Sequence, residues 1–158
     1  MKTQQNDLRG VMITVTNGRV LLPNATVSEV ITFSVPEPVP NAPNWLLGRI
    51  RWRGWRLPLV SFARLAGYSE TEGEMGAKVV VLKALGGNPK LPYFAMLTQG
   101  FPRLVTVAAD AMVVPDDADD TENDPGVLTM VMLRDDPAAI PDLAQIETRL
   151  AEALTQAA

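Results

Sequence analysis

Residues 44–62 read NWLLGRIRWRGWRLPLVSF. From Gly48 to Trp52 the residues alternate in period two, which sets Ile50 on one face of a strand and Arg49 and Arg51 on the other. Residues 55–62 read as a second strand, and Arg53-Gly54 between the two is a tight hairpin turn. Ile50, Trp52, Leu57 and Leu59 then line an inner face, and the arginines are solvated. The same stretch interleaves four arginines (Arg49, Arg51, Arg53, Arg56) with three tryptophans (Trp45, Trp52, Trp55). Tryptophan and arginine are enriched at the energetic centres of protein interfaces, which makes the hairpin a docking edge. Basic residues beside aromatics also suit single-stranded nucleic acid, so a small β-barrel nucleic-acid-binding module is the alternative.

Outward from this hairpin the chain continues in short pieces, punctuated by 13 prolines and 11 glycines. Residues 11–15, 19–23 and 30–33 read as strands, with Asn17-Gly18 marking a hairpin turn. Residues 33–45 carry four prolines and form an extended crossover, with Asn41 or Asn44 capping a short helical turn over 45–47. Further strands are expected at 77–86, 91–98, 103–114 and 126–134, and 86–89 reads as a turn. Ile140, Leu143, Ile146, Leu150 and Leu154 fall at helical spacing and predict one amphipathic C-terminal helix. Many short strands with one late helix indicate a mainly β protein built of small barrels. The expected organisation is one domain over 8–155. It holds a first barrel at about 8–67, a second at about 77–135, and a helix at about 140–156 packing across them.

Composition narrows the chemistry. The 158 residues are 47% apolar and 20% charged, a globular balance, and no apolar run is long enough for a membrane span. There is no cysteine and no histidine, which removes disulfides, thiol nucleophiles, Ser–His–Asp triads and His/Cys zinc sites. No catalytic constellation, cofactor site or metal site is visible, and a cytoplasmic location is expected. The net charge of −4 conceals an asymmetry. Residues 1–68 carry eight Lys/Arg against three Asp/Glu (+5), and residues 69–158 carry six against fifteen (−9). Two surfaces of opposite sign suit two partners. The acidic run 116–124 lacks the glycine and terminal glutamate of a calcium loop and reads as a solvated loop. Tyr68, Glu70, Glu72 and Glu74 sit in what reads as an exposed linker, and Met96, Met112, Met130 and Met132 as core filler.

The order of motifs from Val20 to Leu65 resembles the CheW-like domain of bacterial chemosensory systems. Val27-Ser28-Glu29-Val30 matches the family's V-x-E-[IV] strand, and Pro40-Asn41-Ala42-Pro43 its P-N-[AT]-P link. Gly48, Ile50, Arg53-Gly54 and Leu57-Pro58-Leu59-Val60 match G-x-[IV]-x-x-R-G-x-x-[VI]-P-[VI]-[VI]. The resemblance implies two intertwined five-stranded SH3-like barrels and a non-enzymatic adaptor coupling chemoreceptors to a CheA-type histidine kinase. It implies partner binding through Glu29, Arg53 and Gly54, with Val27, Gly48 and Leu59 on the same surface. The kinase's regulatory domain docks on one barrel, and the groove between barrels takes the tip of a methyl-accepting receptor. Arg49, Arg51, Trp52, Trp55 and Arg56 are left as an accessory interface toward an acidic partner. Three positions and one segment depart from the pattern. Ser61 stands where the family usually has aspartate, Arg51 stands in place of the usual polar residue two before the arginine, Trp52 replaces a smaller aliphatic one, and residues 97–105 replace an apolar strand running into V-D-x-V. These departures look like the ChpC-type CheW-like proteins of type IV pilus systems, which drive twitching motility.

Overall fold

The computed structural model describes residues 7–73, 75–108, 112–113, 126–133 and 136–157. Five strands build the sheet that carries the opening hairpin. They are β3 (Val27–Thr32), β4 (Leu46–Trp52), β5 (Trp55–Val60), β6 (Ala77–Lys83) and β7 (Tyr93–Gln99), in the spatial order β3-β6-β7-β5-β4. The other sheet has six strands in the order β8-β1-β2-β11-β10-β9. Its members are β1 (Asp7–Val15), β2 (Gly18–Pro23), β8 (Arg103–Ala108), β9 (Met112–Val113), β10 (Val127–Leu133) and β11 (Asp136–Pro141). A short helix α1 (Phe62–Leu65) and a long C-terminal helix α2 (Leu143–Ala157) complete the described chain. The expected mainly β architecture with a late helix is therefore present.

The sheets do not follow the division expected near residues 67–77. β1 and β2 leave the first half to pair with β8 and β11, while β6 and β7 from the second half complete the sheet of β3, β4 and β5. The reason lies in how β6 and β7 are buried. Val79 and Val81 face one apolar cluster with Ile50, Trp52, Leu57 and Leu59, while Val80 and Leu82 face another. In β7, Ala95 and Leu97 join the first cluster, and Phe94 and Met96 the second. A strand apolar on both faces must be covered on both, so these two strands sit as a wall between two cores. On the far side of the wall, Ile13, Val20 and Leu22 of the other sheet meet Ile146 and Leu150 of α2.

Three further expectations are corrected. Ile140 belongs to β11, opposite Thr129 of β10, so the helix starts at Leu143. Residues 45–47 hold no helical turn, because β4 begins at Leu46 and its first residue already pairs with Val60. The turn between β1 and β2 also sits one residue early, at Thr16-Asn17, since Val15 pairs with Gly18. The acidic run 116–124 and Glu74 lie outside the described residues.

Two carboxylates fasten the sheets and helices together. Glu147 of α2 is 8% exposed and accepts hydrogen bonds from the backbone N–H of Leu85 (2.9 Å) and Gly86 (2.7 Å). The β6–β7 loop is thereby pinned to the helix, and two backbone donors are satisfied. Glu72 accepts from the Thr16 hydroxyl (2.6 Å), the Ser61 hydroxyl (2.5 Å) and the Gln99 amide (3.2 Å). The linker expected to be exposed is tied at Glu72 to the β1–β2 turn, to the residue that caps α1 and to the end of β7.

Candidate docking site

The hairpin of β4 and β5 turns at Arg53 (φ 48°) and Gly54 (φ 82°), with Trp52 paired to Trp55. Both central residues have positive φ, the requirement of a type I′ turn, whose twist matches the strands it joins. Glycine adopts this conformation freely, and arginine does not. The other non-glycine residues with positive φ among those described are asparagines, Asn17 and Asn41, which tolerate it. Arg53 is therefore held in a conformation that its residue type disfavours.

What holds it is a set of contacts across the barrel opening. The strands β3 and β4 are the two edges of their sheet. The indole Nε1–H of Trp52, at the end of β4, donates to Glu29 Oε1 of β3 at 3.1 Å. Arg53 Nη2 lies 2.9 Å from the same oxygen. The guanidinium of Arg53 sits 5.0 Å from the Trp52 ring centroid, within cation–π range. Trp52 in turn meets Tyr93 of β7 edge-on, with centroids 4.9 Å apart, and Trp55 lies 6.3 Å from the same ring. Side chains thus close what the backbone leaves open between the two edges.

The residues singled out in sequence divide into three groups. Glu29, Arg53, Gly54, Trp55, Arg51 and Arg56 reach the surface, with side-chain exposures of 70% for Arg53 and 37% for Glu29. The last five of these surround an open depression of about 470 Å³, together with the edge of Trp52. Trp52 is itself buried and serves as the platform beneath Arg53. Leu59 is fully buried in the barrel core and offers nothing to a partner, because it shares the inward face with Leu57 and Ile50. Gly48 is buried as well, and its part is architectural. Its neighbour Arg49 exchanges two 2.8 Å backbone hydrogen bonds with Glu37 of the proline-rich crossover. A Cβ on Gly48 would strike the Glu37 carbonyl and lie 2.9 Å from Pro36 Cβ. Val27 is half-buried at the start of β3 and packs on the central core, so it supports the site from below.

Two contributors were not visible in the sequence. Glu37 accepts a 3.1 Å ion pair from Arg56, which ties the crossover to the hairpin. Its place between Pro36 and Pro38 in an extended segment is the only signal it left. Tyr93 stands 41 residues from Trp52 and gave none.

This geometry disfavours base stacking. A stacking platform needs several exposed rings in series. Trp52 is 7% exposed, Trp45 packs against the central core, and Trp55 is the one tryptophan with an open face.

Comparison with known proteins agrees with the fold. The family model described as CheW-like domain matches residues 9–150. Among solved structures, the chain is similar to the crystal structure of scaffolding protein TtCheW from Thermoanaerobacter tengcongensis. That similarity has a TM-score of 0.70 and 14% identity, over 86% of this chain and 84% of the other. No curated protein matches the chain in sequence.

Proposed function

This chain belongs to the CheW-like domain family, and we propose that it is a non-enzymatic chemosensory adaptor whose hairpin tip docks the regulatory domain of a CheA-type histidine kinase. The observation that carries this reading is Arg53. A residue held in a disfavoured backbone conformation, exposed, and braced by an ion pair and an aromatic ring is stored strain of the kind found at functional positions. For stability alone, glycine or asparagine would serve the turn better. Arginine there supplies a planar, permanently charged donor fork at the apex of the hairpin, suited to a partner carboxylate.

The second partner in this reading is the cytoplasmic tip of a methyl-accepting chemoreceptor, taken between the two barrels. The pathway is a type IV pilus system, supported by Ser61, Arg51, Trp52 and residues 97–105, where the chain departs from the common CheW pattern. The adaptor acts at the inner face of the membrane through its partners. No helix among the described residues is long and apolar enough to cross a membrane.

Arg53→Gly tests this reading. Glycine relieves the turn but gives up an exposed ion pair and adds unfolded-state entropy, so stability stays within about 1 kcal/mol of the parent. Capture of the kinase by the immobilised variant should fall roughly thirtyfold, the loss expected of an interface centre. Undiminished capture by a variant of parental stability would remove Arg53 from the docking surface.

A further inference from the structure

We infer that the groove between β4 and the last turns of α2 is a second docking surface, one that takes an acidic, leucine-bearing segment of a partner protein. The groove has a volume of about 430 Å³ and shares no residue with the hairpin tip. Leu91, Ala151 and Leu154 form its apolar floor, and Arg49, Lys90 and Asn88 stand on its rim.

The walls are held in place before any partner arrives. Arg49 is fixed through its backbone by both hydrogen bonds to Glu37. The Asn88 side chain accepts from Lys90 N–H at 3.0 Å, and its carbonyl accepts from Leu91 N–H at 3.0 Å. Glu147 clamps the start of the same loop to α2. Preformed walls reduce the ordering that binding must impose.

The charge on the rim is uncompensated among the described residues. Neither Arg49 nor Lys90 forms an ion pair there, whereas Arg53 and Arg56 of the hairpin do. The C-terminal end of α2 supplies roughly half a negative charge against these two positive ones. Arg51 continues the positive character along the same face of β4. Two cations above an aliphatic floor match a segment that offers carboxylates and leucines together, as in helix-in-groove recognition. The floor has no aromatic ring on which a base could stack, which argues against single-stranded nucleic acid.

The test uses fluorescence anisotropy with three labelled probes: a peptide of repeating Leu-Glu-Glu-Leu units, a length-matched Gly-Glu peptide, and oligothymidylate. The parent chain should bind the Leu-Glu peptide at low salt and bind the other two at least about tenfold more weakly. Arg49→Glu combined with Lys90→Glu should weaken the peptide about tenfold or more, as should Leu154→Asp, while Arg53→Glu leaves it unchanged. Lys90→Glu alone, on an exposed loop, should give part of the loss without burdening the fold. The inference is overturned if the parent does not bind the Leu-Glu peptide, or if the groove variants bind it as the parent does. Equal binding of the Gly-Glu peptide or of oligothymidylate overturns it too, by removing the role of the apolar floor.

Discussion

Replacing Gly48 by alanine should lower the stability of the chain by about 3–5 kcal/mol, a large fraction of what a domain of this size possesses. Two effects combine at this position. The backbone φ of +145° is one that residues with a Cβ rarely adopt. The added Cβ would also meet the carbonyl of Glu37 and the ring of Pro36, and neither can swing aside as a flexible side chain could. The crossover would have to lift away from β4. That motion would break both Glu37–Arg49 backbone hydrogen bonds and draw Glu37 from Arg56. The measurement is urea unfolding, with the loss read as a fall in the midpoint at an unchanged slope. A loss below about 1 kcal/mol would mean that the crossover does not press on β4 as described.

Trp52→Ala should cost about 3–5 kcal/mol, as large aromatic truncations in a core do. The ring is 7% exposed, packs edge-on against Tyr93, and closes the barrel through Glu29. Truncation opens a cavity between the edge strands and removes the surface under the Arg53 guanidinium. Trp52→Phe separates these contributions. It keeps a ring in place but loses the indole hydrogen bond, so its cost should stay near 1 kcal/mol. Equal losses for the two variants would locate the effect in the hydrogen bond to Glu29 rather than in packing.

The hairpin was legible because its signals are local. Alternation fixes which residues of β4 face inward, and Arg53-Gly54 offers a glycine to a turn that needs positive φ twice. The partners of each strand were not legible, because alternation says nothing about which strand lies beside which. The run Val79–Leu82 announces a strand buried on both faces, but the two cores that bury it are assembled from β1, β2 and α2 on one side and the hairpin on the other. Strand β11 escaped notice since Pro137, Ala138, Ala139 and Pro141 have low strand preference. Its Ile140 also lies at helical spacing with Leu143, so spacing alone groups it with the helix.

The candidate site was readable to a similar depth. Glu29 and Arg53 stood out through their motifs, and they do meet. Leu59 stood out for the same reason and is core, because a motif marks a position without saying whether architecture or contact fixes it. Ser61 shows the converse. Where the family usually carries an aspartate, this chain has a hydroxyl, and Glu72 of the linker brings a carboxylate to it at 2.5 Å. The carboxylate at this position comes from eleven residues away, which no local pattern reveals.

The central claim is that Arg53 meets a partner and does not merely brace the barrel. The most direct measurement titrates the purified chain against the regulatory domain of a CheA-type histidine kinase, the proposed partner, using the parent, Arg53→Glu, Glu29→Arg and the combined swap. The swap restores an internal ion pair of reversed sense but leaves the Trp52 indole without its Glu29 acceptor, so thermal stability should recover above that of either single variant without reaching the parental value. Kinase binding should be weakened roughly thirtyfold or more by Arg53→Glu and should stay weak in the swap, because the charge presented outward is still reversed. Parental affinity in the swap would show that Arg53 acts only through Glu29, and parental affinity in Arg53→Glu would show that the kinase docks elsewhere.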